Sequence, residues 1–130
     1  MSQRPRWILP VLGVLAALVL VAVGPATAAK VTNVKSTVTI KSGEGTEFTG
    51  KVTSTQKKCR SKRKVKLVME PYSGGEDEVV DTAKTDATGA WEMHGSYMAG
   101  IYHAEVTSSF VRTDSGSLHC LVAIGVSHRY

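Results

Sequence analysis

Apolar and polar residues alternate with a period of two along most of residues 30–130, and no long segment carries the 3.6-residue period of a helix. Val34, Val38 and Ile40 share one parity, with Lys35, Thr37, Thr39 and Lys41 on the other. Phe48 and Val52 alternate with Thr49, Lys51 and Thr53. Val65, Leu67 and Met69 alternate with Lys64, Lys66 and Glu70. Side chains on a strand point to opposite faces in turn, so this pattern describes strands with one face buried and one in water. Turn signals separate them. Ser42-Gly43-Glu44-Gly45, Pro71-Tyr72-Ser73-Gly74-Gly75 and Asp86-Ala87-Thr88-Gly89 each combine glycine with residues that bond their own backbone.

About seven short strands result, and the fold class expected is all-β. Seven strands in about 100 residues predict an antiparallel two-sheet sandwich. The expected inward set is Val38, Ile40, Phe48, Val52, Val65, Leu67, Met69, Trp91, Met93, Tyr102, Ala104, Val106, Val122 and Ile124. Cys120, Val122, Ile124 and Val126 form the last inward row, and residues 108–117 read as a long, polar hairpin loop.

The first 28 residues read differently. Arg4 and Arg6 precede an uncharged apolar run to Val23, broken by Gly24-Pro25 and followed by Ala26-Thr27-Ala28. A basic start, an apolar stretch and an Ala-x-Ala site predict a secretory signal helix at 1–28 and a β-sandwich domain at 29–130. The alternative is an uncleaved anchor over Trp7–Val23, at 17 residues the low end for crossing a bilayer. Either way the domain is expected outside the cell or in its envelope.

Export gives the two cysteines a meaning. Cys59 and Cys120 are the chain's only cysteines. An even count in an oxidising compartment predicts a disulfide between them, and their spacing lacks the Cys-x-x-Cys form of redox and zinc sites.

Charge is unevenly distributed. The chain carries a formal +5. Residues 30–66 hold eleven Lys/Arg against Glu44 and Glu47, whereas residues 67–130 hold three Lys/Arg against nine acids. The densest run is Lys57, Lys58, Arg60, Lys62, Arg63, Lys64 and Lys66. Such a run concentrates polyanions through its field and predicts contact with an anionic envelope polymer or a protein partner. It also suits an edge strand that must avoid pairing with another chain. No aromatic residue interleaves with the basic ones, so no specific nucleic acid is expected.

No catalytic, cofactor-binding or metal-binding set stands out. No two of His94, His103, His119 and His128 have the helical i,i+4 spacing of metalloprotease ligands, and surface histidine is the expectation. Asp86-Ala87-Thr88-Gly89 has one carboxylate where a calcium loop needs several oxygen donors, so it reads as a turn. Glu76-Asp77-Glu78 reads as a solvated loop. No Gly-x-Ser-x-Gly elbow or phosphate loop occurs. A hydrolase would need a site dispersed in sequence, with His103 or His119 beside a carboxylate and a nucleophile.

The order of strand motifs resembles bacterial carboxypeptidase-regulatory-like, or transthyretin-like (prealbumin-like), domains. The residues that carry the resemblance are Gly50 and Val52; Cys59, Arg63, Val65 and Leu67; Thr85, Asp86, Gly89 and Trp91; and Gly100, Tyr102, Ala104 and Val106. It covers about Phe48–Val126. It implies a seven-stranded sandwich serving as a structural or binding module, not a peptidase. One enzyme branch of that group ends in Tyr-Arg-Gly-Ser, whereas this chain ends in Ser127-His128-Arg129-Tyr130, so that site does not carry over. Sequence and resemblance together predict a non-catalytic exported module without a cofactor. The alternatives are a membrane-tethered accessory subunit and a small secreted hydrolase.

Overall fold

The computed structural model describes residues 30–43, 46–72 and 74–130, and these are all-β. The expected signal helix and its anchor alternative lie outside the described residues. No helix among the described residues is long and apolar enough to cross a membrane.

Among the described residues there are twelve strand segments, several of them only two or three residues long, against about seven expected strands. They are β1 (Val31–Val34), β2 (Ser36–Val38), β3 (Lys41–Ser42), β4 (Glu47–Ser54), β5 (Lys64–Glu70) and β6 (Glu78–Lys84), then β7 (Ala90–His94), β8 (Ile101–Val106), β9 (Ser109–Thr113), β10 (Gly116–Cys120), β11 (Ala123–Ile124) and β12 (His128–Arg129). A short 3-10 turn covers Lys57–Cys59.

Two of the sheets close on one core. In one, β4 lies between β7 on one side and β2 with β3 on the other. In the other, β8 and β5 are central, β6 is one edge, and β11 and β12 pair with β8. The first contributes Val38, Phe48, Val52, Trp91 and Met93 to the core. The second contributes Val65, Leu67, Tyr102, Ala104 and Val106. All ten were expected inward from their parity.

The third sheet departs from the expected antiparallel pattern. Its order is β1-β10-β9, and β1 runs parallel to β10. Residues 109–120 are therefore two paired strands rather than a long loop. Gly116, at φ +141°, closes the turn where a Cβ would lie 2.2 Å from the Lys30 carbonyl oxygen.

The last expected inward row fails. Cys120 is buried, but Val122, Ile124 and Val126 are exposed. The strand ends at Cys120, and Ala123 is the residue that packs against the core. The chain leaves one sheet after Cys120 and joins another as β11, with Ala123 opposite the buried Val106, so the inward parity shifts by one and Val122, Ile124 and Val126 face outward.

The disulfide joins Cys59 to Cys120, two fully buried residues that cluster with Val34. It ties the 3-10 turn to the end of β10. A bridge of this kind fits an oxidising environment.

Candidate functional site

The basic run does not form one surface. Lys57, Lys58, Lys62 and Lys64 are exposed, and Arg60 and Lys66 are half-buried. Arg60 Nε donates to the Ser54 carbonyl oxygen at 2.7 Å, and Lys58 Nζ lies 3.4 Å from the Arg112 carbonyl oxygen.

Arg63 corrects the expectation outright. It is 1% exposed and unavailable to a partner. Its Nη1 donates to the Cys59 carbonyl oxygen at 2.7 Å and to Ser36 Oγ at 3.0 Å. Its Nη2 donates to the Thr107 and Leu121 carbonyl oxygens at 2.8 and 3.1 Å. Burial lowers its pKa, because the charged form loses water, yet a guanidinium stays protonated. The cause is strand parity: Arg63 shares the inward parity of Val65 and Leu67.

The same fold adds a lysine from the acidic half of the chain. β5 and β6 pair in antiparallel register, which sets Lys64 directly opposite Lys84. Like charges placed opposite each other on a sheet repel. Lys84 also borders a groove of about 780 Å³, together with Lys41, Lys51, Thr39, Thr49 and Asp86. Lys41 arrives on β3 and Lys51 on β4, each paired into the sheet next to the groove. Lys41, Lys51 and Lys84 make no ion pair among the described residues. β3, β4 and β6 thus bring three lysines to one groove.

Lys62 fixes one corner of that side. Its φ of +53° places it in the left-handed region, which costs a non-glycine residue about 1 kcal/mol or more. The Lys62 N–H donates to the Thr85 carbonyl oxygen, and Arg63 N–H donates to Thr85 Oγ1 at 2.8 Å. Thr85 Oγ1–H in turn donates to the Arg60 carbonyl oxygen at 2.5 Å. The buried Thr85 therefore pins the basic connection beside the end of β6.

The sequence reading missed Lys41, Lys51 and Lys84. A signal for Lys84 was present. Reflecting the strand that ends near Pro71 about the turn at Gly74 lands Lys64 on Lys84.

The histidines occupy different surroundings. His103 is 6% exposed despite its outward parity. Its Nδ1 is 3.0 Å from Glu70 Oε1, and Ser127 Oγ–H donates to that same oxygen at 2.6 Å. The Ser127 bond, with His103 second among the stabilising contacts, lowers the Glu70 pKa against a smaller opposing effect of burial. Serine and imidazole therefore converge on the carboxylate instead of on each other. His119 stacks on Phe110, with ring centroids 4.3 Å apart, and His128 Nε2 meets Ser42 Oγ at 2.8 Å.

Comparison with known proteins returns no matching family, no matching curated relative and no matching solved structure, so the functional reading rests on this geometry.

Proposed function

We propose that this chain is an exported, non-catalytic β-sandwich module that contacts an anionic polymer of the cell envelope through its lysine-lined side. One observation carries the reading: Lys64 opposes Lys84, and Lys84 borders the same groove as Lys41 and Lys51, with no carboxylate paired to these groove lysines among the described residues. Lys62, whose N–H donates to the carbonyl oxygen of the groove residue Thr85, extends the charged rim. Repulsion among such groups destabilises the free protein, and a bound polyanion relieves it. The disulfide and the signal-like first 28 residues support an address outside the cytoplasm. The resemblance to transthyretin-like domains supports a binding role over a catalytic one.

The contact set differs from the basic run of the sequence. Arg63 leaves it, and Lys41, Lys51 and Lys84 join it.

Dextran sulfate is the probe for the test. Its affinity is expected to fall steeply as ionic strength rises, because exposed charges are screened. The triple variant Lys41→Gln/Lys51→Gln/Lys84→Gln is expected to weaken binding at least about tenfold, equivalent to about 1.4 kcal/mol. Lys30→Gln/Lys35→Gln/Arg129→Gln removes the same formal charge elsewhere. Equal losses in the two triples would reduce the effect to net charge and overturn the assignment of this side.

A further inference from the structure

We propose that Glu47, Glu92 and His94 form a surface site for a divalent first-row metal ion, with Zn²⁺ as its representative. The argument starts from register. β4 and β7 pair antiparallel, with Glu47 directly opposite His94 and Phe48 opposite Met93. Phe48 and Met93 are buried in the core. Alternation therefore turns Glu47 and His94 to the other face, and Glu92, two residues before His94, joins them. Directly opposed residues have Cβ atoms about 5 Å apart, close enough for their side chains to share one ion.

The donor atoms already converge. One ligand atom from each of the three residues lies within 4.8 Å of the other two. Glu92 Oε2 and His94 Nε2 are 3.6 Å apart. Zinc bonds of 2.0–2.2 Å in a tetrahedron place neighbouring donors about 3.4 Å apart. The Glu92–His94 edge is thus near its bound length, and Glu47 closes the third corner by a small side-chain turn. The side chains of His94 and Glu92 are 62% and 69% exposed, so such adjustments meet little packing.

Electrostatics supplies a second, independent observation. Two carboxylates face one imidazole on a chain of formal charge +5, and neither is paired with a lysine or arginine among the described residues. A dication at the centre of the triangle cancels that repulsion. One imidazole nitrogen and two carboxylate oxygens form a borderline set that suits zinc and its first-row neighbours better than copper(I), which favours sulfur. Three protein donors leave the rest of the coordination sphere to water or an external oxygen. Glu92 also lines the groove bordered by Lys41, Lys51 and Lys84, so the site adjoins the anion-contact side, but none of its three donors is a lysine.

The test is a titration of the full-length chain with ZnCl₂, followed by calorimetry and by the imidazole resonances of its four histidines. One saturable site is expected, with His94 showing the dominant shift. His94→Ala is expected to weaken affinity at least about tenfold, and Glu47→Gln and Glu92→Gln at least about threefold each. His119→Gln is the control and is expected to leave affinity unchanged. Because the two Gln variants keep their size on an exposed face, they retain the test if His94→Ala disturbs the sheet. Failure to saturate, or stoichiometric binding that survives His94→Ala or the Glu47→Gln/Glu92→Gln pair, overturns the assignment.

Discussion

At one end of β8, Phe48 lies among Tyr97, Tyr102 and Tyr130, with ring centroids 5.0, 4.9 and 5.1 Å away. Just past the other end, Thr107 accepts a hydrogen bond from Arg63, which also reaches Ser36, Cys59 and Leu121. The first region is held by area and shape. Its polar tips find partners at the rim: Tyr102 Oη–H donates to the Met98 carbonyl oxygen at 2.5 Å, and Tyr97 Oη–H to Asp81 Oδ2 at 2.6 Å. Burial, then the neighbouring Asp81, raises the Tyr97 pKa and keeps the phenol protonated. The second region is held by one cation and one covalent bond. There the strands end, their last carbonyl oxygens have no ladder partner, and Arg63 supplies the donors that a sheet would otherwise provide. An apolar cluster tolerates a softened contact, whereas four acceptors converging on one guanidinium do not.

Arg63→Met tests that contrast most severely. The variant keeps an apolar stem of similar reach and strips the donors from four acceptors. At about 1 kcal/mol for each acceptor left dry, the expected loss is about 4 kcal/mol in denaturant unfolding. That is a large share of a domain stability of about 5–15 kcal/mol. Arg63→Lys is expected to recover only part, because an ammonium lacks the planar fork that reaches two sides at once. A loss below about 1 kcal/mol for Arg63→Met would mean that water replaces the guanidinium freely, and the two ends would then not differ in kind.

Reducing the disulfide sharpens the same comparison. Its sequence separation of 61 residues gives roughly 4 kcal/mol as an upper value from loop entropy, and about 3 kcal/mol is expected. The informative quantity is coupling. Arg63 bonds the Cys59 carbonyl oxygen and that of Leu121, next to Cys120, so reduction and Arg63→Lys are expected to be non-additive. Phe48→Ala, at the aromatic end, is expected to add to reduction within about 0.5 kcal/mol. Coupling of similar size at both residues would show one undivided core.

The sequence makes one end far more legible than the other. Alternation places Phe48, Val52, Leu67, Trp91, Tyr102 and Ala104 inside, because an apolar side chain and its parity give the same answer. At Arg63 the two signals conflict. Parity says inward, charge says outward, and nothing local reveals that four unpaired acceptors await it. Val122, Ile124 and Val126 fail in the opposite sense, since their alternation is regular but the chain changes sheets between Cys120 and Ala123 and the inward parity shifts by one. The lysine groove is non-local as well. Lys41, Lys51 and Lys84 come from separate strands, and only pairing brings them to one side.

The smallest effect belongs to the β6–β7 turn, which lies outside both regions and probes local chemistry alone. Asp86 Oδ1 accepts bonds from Thr88 Oγ1–H at 2.7 Å and from the backbone N–H groups of Thr88 and Ala90 at 2.8 and 3.0 Å. The Thr88 hydroxyl, then these N–H donors, lower its pKa, because they favour the ionised form. A depressed folded-state pKa contributes stability that is present above the unfolded value, about 3.9, and is lost as pH falls through the folded value. Asp86→Asn keeps an acceptor and removes the ionisation. It is therefore expected to melt slightly below the parent at pH 7, with the gap closing towards pH 2. Glu70 also has a lowered pKa, but it is present in both proteins and cancels from the difference. A gap in melting temperature that stays constant from pH 7 to pH 2 would show that the turn is held by backbone shape and Gly89, at φ +93°, rather than by the charge on Asp86.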